Sequence, residues 1–351
     1  MKIALVTDTH FGARGDSIHF DNYFRKFYSE VFFPELIRRD IKTIFHLGDV
    51  FDRRKYINFS ILKSCKEYFF DQLVKNDIRC HMLAGNHDTY FKNTNDVNSP
   101  DLLIAEQYAN HVQVYSKPEN IVVDGFGVCM VPWICADNYA SVMETVRTST
   151  APVMMSHLEL EGFSMYKGML NDHGMDRKLF EKFDLVLSGH FHHRSSQDNV
   201  TYIGNPYAMT WNDYDDPRGF TILDTETLSM EVVENPNEIF LKFLYDDTSW
   251  DPDNIDVGIF ADKMVKLIII NKNDFYKYDR FMDRLYKQNI LELKIIEDFS
   301  EFEADAVDDD INLEDTVSLL NGFVDGVETD ADKPRIKNLL KELYIEAQNV
   351  E

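Results

Sequence analysis

Basic residues are scarce in this chain: 36 Lys and Arg stand against 61 Asp and Glu, a formal net charge of -25 over 351 residues. A surface of that sign cannot hold nucleic acid or anionic lipid by general attraction. Any polyanionic ligand must be met by metal ions, a local basic patch or a partner. Cysteine is equally sparse. Cys65, Cys80, Cys129 and Cys135 show no Cys-x-x-Cys spacing, which excludes a thiolate zinc site and a disulfide framework. Long apolar runs are missing too, since stretches such as Leu267 to Ile270 fall far short of the roughly 20 residues that span a bilayer. Met1 leads straight into the strand-like Lys2 to Val6 without the pattern of a secretory signal, so a cytoplasmic location and no membrane partner are expected.

What is present is a design that repeats. Lys2 to Val6 runs into Thr7-Asp8-Thr9-His10, and Thr43 to Leu47 into Gly48-Asp49. Cys80 to Ala84 runs into Gly85-Asn86-His87-Asp88, Pro152 to Met155 into Ser156-His157, and Phe183 to Leu187 into Ser188-Gly189-His190-Phe191-His192-His193. Continuous apolar runs of this length read as buried strands. Helical patterns lie between them: Ile18, Phe24, Phe27, Val31 and Leu36 mark one, broken at Pro34, and Ile61, Leu62, Cys65, Phe69 and Leu73 mark another. Strands alternating with helices predict an α/β core, in which ligands gather beyond the carboxyl ends of the strands. All five polar endings fall there, on one expected edge.

Asp8, His10, Asp49, Asn86, His157, His190 and His192 form a mixed nitrogen and oxygen donor set without thiolate. Such a set suits hard or borderline divalent ions, Mn²⁺ first, with Mg²⁺, Zn²⁺ or Fe²⁺ as alternatives. Seven donors are too many for one ion and suit two ions sharing a carboxylate, the usual device for hydrolysing phosphate esters. With Asn86 available as a ligand from the same turn, His87 can face the substrate and either steady the transition state or protonate a leaving oxygen. Asp88 then orients its neighbours from behind. Arg53-Arg54-Lys55, directly after Asp49 to Asp52, is the candidate phosphate-contacting patch. Any one of these residues alone would more simply be a satisfied turn or core group; their company is what argues for a site.

Asp8-x-His10, Gly48-Asp49-x-Phe51-Asp52, Gly85-Asn86-His87-Asp88, Ser156-His157 and Gly189-His190-x-His192 resemble, in order and spacing, the five motifs of the calcineurin-like metallophosphoesterases. More narrowly, the chain is similar to the SbcD family of DNA repair and recombination nuclease subunits, including those encoded by tailed phages. That resemblance implies a two-sheet β-sandwich flanked by helices, with a smaller α+β capping domain and a helical C-terminal tail. It also implies one Mn²⁺ on Asp8, His10, Asp49 and His192, and a second on Asp49, Asn86, His157 and His190. Asp49 would bridge, and His87 would be the catalytic histidine. The implied activity is 3′-to-5′ exonuclease action on duplex DNA and endonuclease action on single strands. The implied assembly is a homodimer working with an SMC-like coiled-coil ATPase.

The expected organisation is a nuclease domain over 1–236, a capping domain over 237–297, an acidic linker over 298–315 and a partner-binding helical tail over 316–351. The capping unit should be β-α-β, with strands Met264 to Ile270 and Leu291 to Ile296 and a helix from Asp274 to Lys287. From Glu297 to Asp315 there are ten acidic residues and no Lys or Arg, which reads as a solvated tether. For the dimer, the helix carrying Ile61, Cys65 and Phe69 is the candidate face. Two rival readings keep the motifs: a phosphomonoesterase or cyclic-nucleotide phosphodiesterase, and a non-catalytic subunit that bridges an ATPase to DNA.

Overall fold

The computed structural model describes residues 1–297, together with Val324, Lys333, residues 335–337, Leu339 and Leu340. One compact unit spans Met1–Ile295, and the isolated later positions are helical. The expected acidic linker and most of the expected tail lie outside the described residues. Among the described residues no helix is long and apolar enough to cross a membrane.

Apolar runs this continuous need cover on both faces, and two six-stranded sheets supply it by packing against each other with helices outside. The first sheet orders its strands Met230–Glu234, Gly219–Asp224, Lys2–Val6, Thr43–His46, Arg79–Leu83 and Val112–Tyr115. The second runs Ser195–Gln197, Val200–Tyr202, Leu185–Gly189, Val153–His157, Phe126–Val131 and Glu119–Val123. Alternate side chains divide between two environments, as the two-residue period of a strand requires. Ile3, Leu5, Phe45, Leu47 and Leu83 meet Val128, Met130, Val153, Met155 and Leu187 between the sheets. Ala4, Val6, Ile44, Cys80 and Met82 turn instead to an aromatic helical layer that includes Phe20, Phe24, Phe27 and Phe69. On the far side, Cys129, Val131, Met154 and Val186 are covered by Val142 and Val146 of the helix Tyr139–Thr148.

The parallel register brings the polar endings level. Val6 pairs with His46 and His46 with Met82 in the first sheet, while Gly189 pairs with His157 in the second. The endings therefore do not share one sheet edge, as the sequence pattern suggests. Those at Asp8, Asp49 and Asn86 finish the first sheet, those at His157 and His190 finish the second, and the two sets meet across the seam.

Three local expectations are corrected. Pro34 does not break its helix. The segment Ile18–Phe27 passes through a π-helical turn at Tyr28–Phe32 into Phe33–Arg38, and Pro34 falls in the first turn after that wider loop, where its missing N–H is tolerated. The unit beyond Asn235 has a third strand: Phe240–Asp246 pairs in parallel with Met264–Asn271, Phe240 opposite Met264, and the sheet is completed by Glu292–Ile296. Helix Phe275–Leu285 packs on it through Phe281, Met282 and Leu285. Ile61, Cys65 and Phe69 are buried in the core, so their side of the helix is not a docking face. The outward side carries Phe59, which is 87% exposed.

Candidate metal centre

Sharp turns at the strand ends aim the polar side chains into the seam. Asp8, His10, Asp49 and His190 all adopt positive φ, at 50°, 42°, 56° and 89°. Left-handed backbone at a non-glycine residue costs of the order of 1–3 kcal/mol and persists where surrounding structure over-determines it. At Gly85 the reason for glycine is close approach, since a Cβ there would overlap the backbone N and side-chain oxygen of Asp49. The Gly48-Asp49 and Gly85-Asn86 turns can therefore stack directly.

Asp49 stands at the middle. Its carboxylate lies 3.4 Å from His157 Nε2 and 3.7 Å from His10 Nε2. One cluster of donor atoms combines Asp49 with His157 and His190; another combines Asp8, His10 and His192; a third joins His10 and Asp49 to His87. Asn86 Oδ1 lies 2.9 Å from His157 Nε2 and 3.0 Å from His190 Nδ1, and His10 Nε2 lies 3.2 Å from His192 Nε2. All seven sequence-expected donors are thus brought to one pocket of the fold. Asp8, His10, Asp49, Asn86 and His157 are buried, with Asp8 and His157 inaccessible to solvent, while His190 and His192 are half-buried.

The electrostatics of this pocket are those of a place short of cations. Burial pushes Asp8 up to about 7. Burial pushes His192 down to about 4, and holds His10 and His190 well below the ordinary imidazole range with help from neighbouring imidazoles. For Asp49 burial opposes the charge, yet His157, His87 and His10 more than offset it and hold the carboxyl well below its ordinary range. For His157 burial likewise opposes protonation, but the Asp49 carboxylate overrides it and takes the imidazole up to about 9. Neutral imidazoles with converging lone pairs, beside buried carboxylates, fit divalent cations in chemistry and in charge. His157 Nδ1 donates to the Leu47 carbonyl at 2.7 Å, which leaves Nε2 as the atom aimed at Asp49. His10 Nδ1 is buried without a hydrogen-bond partner among the described residues.

The other sequence-expected residues surround this set. His87 is edge-on to His10 with ring centroids 4.8 Å apart, its N–H donates to Asp49 Oδ1 at 2.8 Å, and its Nδ1 lies 2.7 Å from the Asp52 carbonyl. Asp88 ties two turns together: Oδ1 accepts the N–H groups of Val50 and Phe51 at 2.9 and 3.2 Å, and Oδ2 accepts that of Gly85 at 2.9 Å. Arg53 is held by Asp16 at 2.7 Å and lies over the Tyr56 ring, while Arg54 and Lys55 line a hollow of about 340 Å³ beside Asp88.

Three participants escape the sequence reading. His46 is a hinge pin and not a ligand; its Nε2 lies 3.0 Å from Thr9 Oγ1 and its Nδ1 accepts the Gly48 N–H at 3.3 Å, linking the first two turns. Burial lowers it to about 3, so it is neutral there. Trp133, at the end of the strand Phe126–Val131, sets its ring 5.2 Å from that of His190. Its signal was the position of Val131-Pro132-Trp133 after an apolar run on the same edge. The third is Arg218, whose contacts reach the carbonyl of His192; no local pattern announces it.

The chain belongs to the calcineurin-like phosphoesterases, whose family description matches residues 1–194, and is thereby a hydrolase that works with divalent ions. Over its full length it is similar to a more particular protein, exonuclease subunit 1 of Enterobacteria phage T4, at 29% identity over 357 residues and 99% of each chain. Among solved structures, an archaeal phosphodiesterase is matched over 67% of this chain and all of its own, at 16% identity and a TM-score of 0.34. A dimetal phosphatase from Danio rerio is matched over 63% of this chain and 91% of its own, at 11% identity and a TM-score of 0.40.

Proposed function

We propose that the chain is the nuclease subunit of a DNA-processing complex and hydrolyses phosphodiester bonds with two divalent ions, Mn²⁺ in the working enzyme. The observation that carries this reading is the placement of Asp49 between two donor clusters, one with Asp8, His10 and His192 and one with Asn86, His157 and His190. When bound, the ions would activate water and neutralise charge developing on the phosphoryl oxygens. The chain's own contribution is alignment and proton transfer. His87 Nδ1 donates to the Asp52 carbonyl, so Nε2 is the atom that would hand a proton to the leaving oxygen. Asp52 and Asp88 fix the turn from which His87 reaches the substrate.

The substrate assignment rests on the full-length similarity to a phage exonuclease subunit. Our reading extends this, on the motif resemblance, to exonuclease action on duplex ends in the 3′-to-5′ sense, endonuclease action on single strands, and work in the cytoplasm of the infected host. Arg53, Arg54 and Lys55, which follow the Asp52 carbonyl that holds His87, would meet the backbone phosphates. The acidic remainder of the surface leaves much of the grip on DNA to an SMC-like coiled-coil ATPase, bound through the chain beyond 315. Residues 237–297 would cap the site. A homodimer would cover the exposed Phe59 and Leu102 together with the half-buried Leu62 and Leu103 around the hollow beside Asp88.

The deciding assay compares an end-labelled duplex, a single-stranded circle and a chromogenic phosphate monoester in Mn²⁺. Cleavage of both DNAs with little turnover of the ester supports this reading. Exclusive action on the ester overturns it in favour of a small-molecule phosphoesterase.

A further inference from the structure

The donors Asp8, His10 and His192 come from opposite sheets, and one segment touches the backbone of both sides. That segment is Gly204–Gly219, between the strands Val200–Tyr202 and Gly219–Asp224. Its Tyr207 donates a hydrogen bond to the carbonyl of Thr9, between Asp8 and His10, at 2.6 Å. The Tyr207 ring is locked against Phe24, with centroids 3.9 Å apart and planes inclined by 14°. At the other end of the segment, Arg218 reaches across to the carbonyl of His192, which also accepts the Asn205 N–H at 3.2 Å. Gly204 lets the backbones close up: at φ +68° a Cβ there would stand 2.9 Å from the same carbonyl.

Arg218 is only 6% exposed, and both of its terminal guanidinium nitrogens are engaged. One guanidinium nitrogen donates to Asn205 Oδ1 as well as to His192, and the other bridges Asp213 and Asp216, each at 2.7 Å. Asp213 in turn accepts the N–H groups of Met209 and Thr210, while Asp216 receives His193 Nδ1 at 2.8 Å. A buried charge network of this kind gains little stability over apolar packing of the same volume. What it gives is direction, since a planar fork fixes several acceptors at once.

We propose that Arg218 and Tyr207 are positioning residues that set the spacing of Asp8 and His10 against His192, and so tune one of the two metal positions and not the other. The proposal rests on the two-ion reading above. The second position, built from Asn86, His157 and His190 around Asp49, also has supports that this segment does not supply, among them the bond from His157 to Leu47, although the His190 N–H donates to the Asp8 carboxylate at 3.1 Å.

The test is titration of the full-length chain with Mn²⁺, followed by calorimetry and by the electron paramagnetic signal of unbound ion. Far-ultraviolet dichroism and melting in chelator check folding. The wild type should bind two ions. Arg218→Met and Tyr207→Phe should each keep one ion at wild-type affinity and weaken the other roughly 10- to 100-fold, the usual cost of losing an outer support of a metal ligand. Arg218→Lys should recover only part of the loss, because a point charge cannot span the four acceptors. Should Arg218→Met fail to fold, Tyr207→Phe, which removes a single hydroxyl, carries the test. Two undisturbed ions in a folded Tyr207→Phe, or equal weakening of both, overturns the positioning role while leaving the two-ion reading intact. A wild-type chain that takes up fewer than two ions overturns that reading, and the positioning role falls with it.

Discussion

His157 Nε2 stands 3.4 Å from the carboxylate of Asp49, an imidazole from one sheet against a carboxylate from the other. The pair closes the seam at which every other donor is gathered. Replacing Asp49 by Ala should therefore remove a donor from both metal positions at once. Calorimetry should find neither ion bound tightly, and Mn²⁺-dependent cleavage should fall by more than the roughly 100-fold that loss of an outer support can cost. Retention of one tight ion would show that the two positions do not share this carboxylate.

His87 should behave in the opposite way. Its ring faces His10 while its backbone N–H supports Asp49, so His87→Ala leaves that backbone bond in place. Metal stoichiometry should be unchanged, and the single-turnover rate should drop about 10²- to 10⁴-fold, the range for losing a general acid. Undiminished turnover would remove His87 from the chemistry.

Much of this site was legible because a buried parallel strand is an uninterrupted apolar run, and its polar ending cannot hide. Asp8, Asp49 and His157 could be read in that way. What could not be read was the division of the endings between two sheets, since a strand's sequence shows that it is covered on both faces but not by what. His46 sits inside an apolar strand run with no pattern to mark its role, and only its contacts with Thr9 and Gly48 reveal a spacer. The strand Phe240–Asp246 was missed because only Phe240 and Tyr245 are buried and Lys242 interrupts the pattern. Arg218 acts across 26 residues on His192, a distance at which periodicity carries no signal.

Away from the site, stability should carry an acid-sensitive contribution from Glu35. Arg38, and after it Arg39, holds its carboxyl down to about 2 from an ordinary 4.5. A depressed folded-state value stabilises the protein fully above the unfolded value, and that contribution fades as pH falls toward the folded one. Glu35→Gln should therefore melt below wild type at neutral pH, with the gap constant down to about pH 4.5 and narrowing progressively toward pH 2. Melting curves at stepped pH check this; a gap that widens on acidification would contradict the sign.

The most direct measurement is anomalous diffraction at the manganese edge from crystals of the chain grown with Mn²⁺. The account predicts two peaks about 3.5–4 Å apart, one on each side of the Asp49 carboxylate, with Asp8, His10 and His192 around one and Asn86, His157 and His190 around the other. His87 should lie outside both coordination shells. A single peak, or a pair of peaks that do not share Asp49, would contradict it.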